Sequence, residues 1–231
     1  MQYKRIFLKI SGEALWGEKG EGLDHEVVRK LSRNIKKLMD KGYQIALMVG
    51  AGNIFRGRDQ GEGIDPAIGH YAGMLATMVN ALILQNIMYQ EEIPASVFSA
   101  IEMPRFIKTI NKISAVKRLD NGTVVICAWG SGNPFCTTDL GSVIRALELD
   151  CEILVKCTNV DGVYSDNPKT NPDAIRYETL TYADALTQWL KVMDQSAFGM
   201  AMENELKTYV THIDSLDELD FSTEKGTVIE K

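Results

Sequence analysis

RIFLKISGEAL, residues 5–15, is a short apolar run of strand character that breaks off at Ser11 and Gly12. IALMVGAGNIFRG (45–57) and VVICAWGSGNPFCTTD (124–139) follow the same plan. Glycine at a strand-to-helix turn lets backbone N–H groups converge on an anion, and the helix that follows adds its positive end. A chain that needed only turns would draw on Asn, Asp or Pro as well, so the repetition points to bound phosphate.

Working outward from these loops, the chain alternates in kind. Strands are expected at 6–10, 44–50, 95–100, 123–128, 151–157 and 208–213, each short, rich in β-branched residues and bounded by polar turns. Helical periodicity falls at 24–41, 72–89, 103–118, 139–149 and 182–205. This predicts an α/β fold with a mostly parallel sheet, helices on both faces and right-handed crossovers. Ligands of such sheets lie beyond the carboxyl ends of the strands, where all of the glycine loops fall. The polar stretch 165–176, with Pro168 and Pro172, reads as loop. A length of 231 residues suits a single domain, 1–231, with a well-buried core.

Composition narrows the partners. A net charge of −6 argues against a nucleic-acid surface, so any anion must be held locally. Cys127, Cys136, Cys151 and Cys157 lack C-x-x-C spacing and read as reduced, structural thiols of a cytoplasmic protein. MQYKRIFLKISGEAL opens a strand rather than a signal peptide, and no apolar stretch approaches the ~20 residues of a membrane span. No segment supplies G-x-x-x-x-G-K-[ST], which excludes a P-loop, and Phe55 stands where a dinucleotide fingerprint needs its third glycine.

Charges near the loops have two readings each. Lys9, directly before Ser11-Gly12, either reaches a phosphate on the loop or snorkels from a strand end. Arg56 and Asp139 add a phosphate fork and a carboxylate to the same end-of-strand layer. Asp194, in LKVMD within a predicted helix, is either a solvated helix charge or an acid that orients a lysine across the site.

KISGEAL, VGAGNIFRG, GMLATMVNAL, GSGNPFCTTD, VDGVY and LKVMD, in this order and spacing, resemble the bacterial uridylate (UMP) kinases of the amino acid kinase superfamily. The likeness runs from Lys4 to GTVI at 226–229. It implies a three-layer α/β/α sandwich, transfer of the γ-phosphoryl group of ATP to UMP with Mg2+, a homohexamer, activation by GTP and inhibition by UTP. By position, Lys9, Ile10, Ser11 and Gly12 would hold ATP phosphates, with Lys9 stabilising the transferring group. The loop 50–53, with Gly50, Ala51 and Gly52, would receive phosphate from both nucleotides, Arg56 would clamp the transfer point and Asp194 would orient Lys9. Asp139 would be catalytic or a partner of its helix dipole. Ser131, Gly132, Asn133, Pro134, Phe135, Cys136, Thr137 and Thr138 would wrap UMP, with His70 at its ribose. Lys156, Thr158, Asn159, Tyr164 and Asn167 would serve ATP, and residues 17–22 the GTP response. No protein side chain is assigned to the metal. The chain departs from the family pattern at Ala51, His70, Ala72, Asn159 and Asn167.

The chemistry is compatible with few histidines, because the acceptor phosphate is already ionised and phosphoryl transfer needs alignment and charge neutralisation more than a base. Two alternatives stay open: a related enzyme with a small carboxylate or carbamate acceptor, and a non-catalytic nucleotide sensor. The surplus of apolar residues in the mostly helical segment 65–89 reads as core or as a subunit interface. Arg105, Lys108, Lys112, Lys117 and Arg118, on or near one helical stretch, would meet GTP phosphates or form a solvated face.

Overall fold

The computed structural model describes residues 2–55, 63–105 and 107–231. Its centre is β1 (Arg5–Ile10), in which Ile6, Leu8 and Ile10 face one apolar cluster and Phe7 faces another. A strand buried on both faces must be apolar at nearly every position, so RIFLKI shows no alternation. Of its two charged residues, Arg5 stands at the less buried start of the strand, while Lys9 is buried and points to the same side as Phe7.

β1 is flanked by β2 (Gln44–Val49) and β6 (Ile153–Thr158), both parallel to it. Outside β2 lie β5 (Val124–Ala128), β3 (Ala95–Ser99) and β4 (Lys108–Thr109). Outside β6 lie β10 (Lys207–His212), β11 (Gly226–Glu230) and β9 (Thr179–Thr181), which completes a nine-stranded sheet among the described residues. Every pairing is parallel except β10 with β11. Successive strands depart to opposite sides of β1, so a crevice opens at its carboxyl end.

The helices form the outer layers. α1 (His25–Asp40) and α2 (Pro66–Gln90) cover the Ile6 face; α3 (Lys112–Asp120), α4 (Thr138–Glu148), α5 (Tyr182–Thr187) and α6 (Gln195–Glu203) cover the Phe7 face. The result is the expected three-layer α/β/α sandwich.

Several sequence expectations need correction. α2 begins at Pro66 rather than at 72, because the Asp65 carboxylate accepts from Ile68 N at 3.1 Å and proline is favoured in a first turn. With 25 residues it is long and apolar enough to cross a membrane, contrary to the expectation that no stretch is; here it packs on the sheet through Met74, Met78, Leu84 and Met88. The helix expected over 103–118 is confined to α3, capped by Asn111. Lys108 belongs instead to β4, so the basic residues of that region do not share a helix face, and Lys112 pairs with Asp150 at 2.7 Å. The segment 182–205 is two helices, interrupted where Trp189 takes φ +52°. Asp194 therefore lies at the N-cap of α6, not within a helix. The loop 165–176 closes a hairpin between β7 (Val163–Tyr164) and β8 (Arg176–Tyr177).

Candidate active site

Lys9 and Lys156 are register partners on adjacent parallel strands, and both are over nine-tenths buried. Two ammonium groups side by side in a dry site require an anion. Asp139, in the first turn of α4, supplies it: Oδ1 lies 2.9 Å from Lys9 Nζ and Oδ2 accepts from Lys156 Nζ at 2.7 Å. Burial opposes the Asp139 charge, yet the two ammonium groups outweigh it and hold the carboxyl well below the usual range. Burial also dominates at Lys156, whose pKa is pushed down to about 8 although Asp139 favours its charge. A buried cluster of two cations on one carboxylate retains a net positive charge, which suits an incoming phosphate. The snorkelling reading of Lys9 is excluded by its burial.

The cluster forms one wall of a cleft of about 550 Å³. Ser11, Gly12, Gly50, Ala51 and Gly52 line the same cleft, with His70, Cys136, Thr137, Thr138 and Asp194. The glycine loops touch: a Cβ at Gly12 would come 2.5 Å from Gly50 O and 2.6 Å from Gly52 N. No side chain fits there. Gly50 N donates to Ile10 O at 2.9 Å, so the amides left to meet an anion on this loop are those of Ala51 and Gly52. Ala51 is not among the described residues with left-handed backbone, and its methyl group introduces no strain of that kind. Ile10 is core, with no exposed surface.

Asp194 does not pair with Lys9 among the described residues. Its carboxylate accepts from the hydroxyls of Thr137 and Ser196 and from Ala197 N at 3.0 Å. The Thr137 hydroxyl in turn accepts from Asp139 N at 3.1 Å and Leu140 N at 3.2 Å. The capping residues of α4 and α6 are thus joined, and two positive helix ends converge on the cleft. Lysine orientation falls to Asp139, while Asp194 acts on the loop before α4.

That loop winds through left-handed backbone at Trp129, Gly130, Gly132 and Phe135. Ser131 Oγ donates to Asn133 O at 3.3 Å and accepts from Asn133 N at 3.2 Å. Phe135 is exposed, and its ring lies 5.0 Å from that of His70, tilted by 53°, at the edge of the cleft. Ser131, Gly132, Asn133, Pro134 and Phe135 do not themselves line it. Thr158, Asn159, Tyr164 and Asn167 also lie off the main cleft. Thr158 Oγ1 donates to Val160 O at 2.7 Å, Tyr164 donates to Asp161 at 2.7 Å and Asn167 Oδ1 accepts from Lys169 N at 3.0 Å. Asn159 borders a second cavity of about 390 Å³ with Trp16, Lys169 and His212. Arg56 lies outside the described residues. Sequence reasoning missed Lys191, which lines the cleft, and Asn80, a polar residue in an otherwise apolar stretch of α2.

Cys127 and Cys157 are buried thiols pushed up to about 12 by burial, which keeps them protonated and inert. Cys136, half-buried, is the cysteine on the cleft wall.

A parallel sheet whose central strands carry contacting glycine loops, paired lysines and converging helix ends defines a protein built to handle phosphate groups. The chain belongs to the amino acid kinase family, which it matches over residues 4–212. It is 46% identical over 214 residues to a uridylate kinase of Rickettsia bellii, covering 92% of this chain and 90% of that relative. A uridylate kinase of Rickettsia felis is also 46% identical, covering 92% and 88%. Among solved structures, UMP kinase from Bacillus anthracis superposes with a TM-score of 0.91 at 32% identity, covering 99% of this chain and 96% of that one. UMP kinase from Ureaplasma parvum gives 0.90 at 34%, with both chains covered completely.

Proposed function

We propose that this protein transfers the γ-phosphoryl group of ATP to UMP, giving ADP and UDP, a step of pyrimidine nucleotide synthesis in the cytoplasm. The observation that carries this reading is the buried Lys9–Asp139–Lys156 cluster facing the contacting loops 11–12 and 50–52. Lys9 and Lys156 neutralise charge on the transferring group, and the Ala51 and Gly52 amides orient it. Asp139 positions both lysines. Asp139 is committed to two ammonium groups, so Mg2+ would be held by the nucleotide phosphates and would add charge neutralisation there. Asp194 acts through Thr137, and the loop 131–138 with His70 receives UMP.

ADP release measured with UMP, CMP, dCMP and no acceptor, with and without GTP, tests the assignment. Turnover with UMP is expected. Turnover only with a small carboxylate or carbamate would favour the related enzyme class, and none with any acceptor would favour a sensor.

Deprotonation of Lys156 removes a cation from the transfer site, so kcat/KM for ATP is expected to fall as pH rises through about 8. Bound ATP adds negative charge and raises the pKa of its lysine neighbours, so the alkaline limb of kcat lies at higher pH than that of kcat/KM. Lys156→Gln, which does not titrate, should be slower at every pH and show no limb near pH 8 in either profile. A limb that persists near pH 8 in this variant assigns the titration elsewhere.

The assembly proposed is a homo-oligomer, a hexamer by family resemblance, with contacts along α2. Ile68, Tyr71, Leu75 and Val79 project from one side of this helix and remain exposed. Such a stripe suits burial against a second copy. Sedimentation at micromolar concentration should give a species larger than the 25.7 kDa chain, and a monomer would defeat the claim. GTP activation and UTP inhibition belong to the same proposal.

A further inference from the structure

Asn80 has no exposed surface and sits among Thr77, Ala81 and Leu84 on the inner side of α2. Its Nδ2 donates to Gly50 O and to Asn53 Oδ1, both at 2.8 Å, while its Oδ1 accepts from Asn53 Nδ2 at 2.9 Å. Asn53, also buried, uses its second N–H to reach Gly22 O at 2.8 Å, and its main-chain carbonyl accepts from Gly22 N at 2.8 Å. Both side-chain amides thereby use every donor they possess.

Gly50 O is also the atom that a Cβ at Gly12 would strike, with Asn53 Oδ1 at 2.6 Å from the same point. One pair of amides therefore meets the carbonyl at the base of the second glycine loop, the surface on which the first loop rests, and residues 17–22. A fully satisfied buried polar network fixes one arrangement, because each alternative leaves a donor or acceptor unpaired. Neither amide lines the cleft.

We propose that Asn80 is a positioning residue for phosphoryl transfer, acting through Gly50 and Asn53 to hold the Ala51 and Gly52 amides against the cleft without touching either nucleotide. This rests on the kinase reading of the cleft. Transition-state charge is more sensitive than ground-state binding to a misplaced donor, so the effect falls mainly on kcat.

Asn80→Asp keeps the size of the side chain but removes both donors, and is expected to lower kcat at least 30-fold while KM for ATP and UMP changes less than threefold. Rates are measured well below the melting temperature of each variant. Asn80→Ser, which is smaller and retains one donor for Gly50 O, covers the case in which the aspartate variant does not fold. It should show an intermediate kcat with the same pattern in KM. A lowered melting temperature with wild-type kcat in the folded serine variant would assign Asn80 a structural role only and overturn the proposal. Failure of the wild-type chain to phosphorylate UMP would instead overturn the kinase reading on which it rests.

Discussion

Lys9→Ala lowers turnover at least ~100-fold, a loss of about 2.7 kcal/mol of transition-state stabilisation, with a smaller change in KM for UMP. The side chain rises from the carboxyl end of the central strand and is fixed by Asp139 at 2.9 Å, so it is held preorganised at the wall of the cleft. Charge on the transferring group is redistributed most in the transition state, and a cation held in a dry site acts there most strongly. The smaller change expected in KM for UMP follows from the proposal that the 131–138 loop with His70, rather than Lys9, receives it. Lys9→Arg should rescue little, since a planar guanidinium does not fit the space of an ammonium that is over nine-tenths buried. Near-wild-type rates in Lys9→Ala would remove this lysine from the transfer site.

Asp139→Asn is expected to cost both stability and activity. Removing one partner of a buried ion pair typically costs about 3–5 kcal/mol, and here a single substitution strands two ammonium groups at once. For a chain of this size that corresponds to a fall in Tm of roughly 6–20 °C. The sign of the pH dependence follows from Lys156, whose folded pKa of about 8 lies below its ordinary value of 10.5. A lysine depressed in this way carries its full burial cost below the folded pKa and loses it progressively as pH rises towards the unfolded value. Without Asp139 its pKa falls further, and the extra cost is present only while wild-type Lys156 is still charged. The gap in stability between wild type and variant should therefore narrow as pH rises through about 8. Thermal melts of both proteins at pH 6.5 and 9 measure this, and a gap that widens would contradict the placement of the charge.

The glycine loops and most sheet strands were legible because each uses a strong local rule: an apolar run buried on two faces, then glycine where backbones meet. Gly12 illustrates it, since the atoms that exclude a side chain belong to a loop almost forty residues away, yet the glycine itself is visible. The role of Asp139 was only half legible. Its position in a first helical turn could be read, but its function depends on the register that sets Lys9 beside Lys156, and no local pattern encodes register between distant strands. Asp194 misled for a related reason. Apolar spacing carries through 182–205, whereas the left-handed backbone at Trp189 ends the helix and turns a mid-helix acid into a cap. Asn80 did leave a signal, a lone amide in an apolar turn, but its partners Gly50 and Asn53 lie in a loop far off in sequence, and Gly22 joins the network only through Asn53.

The place of β1 at the centre of the sheet also shapes how the chain is made. Ile6 to Ile10 leave the ribosome well before the strand that pairs with their second edge, which begins at Ile153. At about 5–20 residues per second, that edge waits on the order of ten to thirty seconds for its partner. An open, apolar edge is a template for pairing with other chains, and charged residues along it oppose such pairing. RIFLKI carries two of them, Arg5 and Lys9. The lysine that lines the finished cleft is thus also one of the two charges on that edge before any cleft exists.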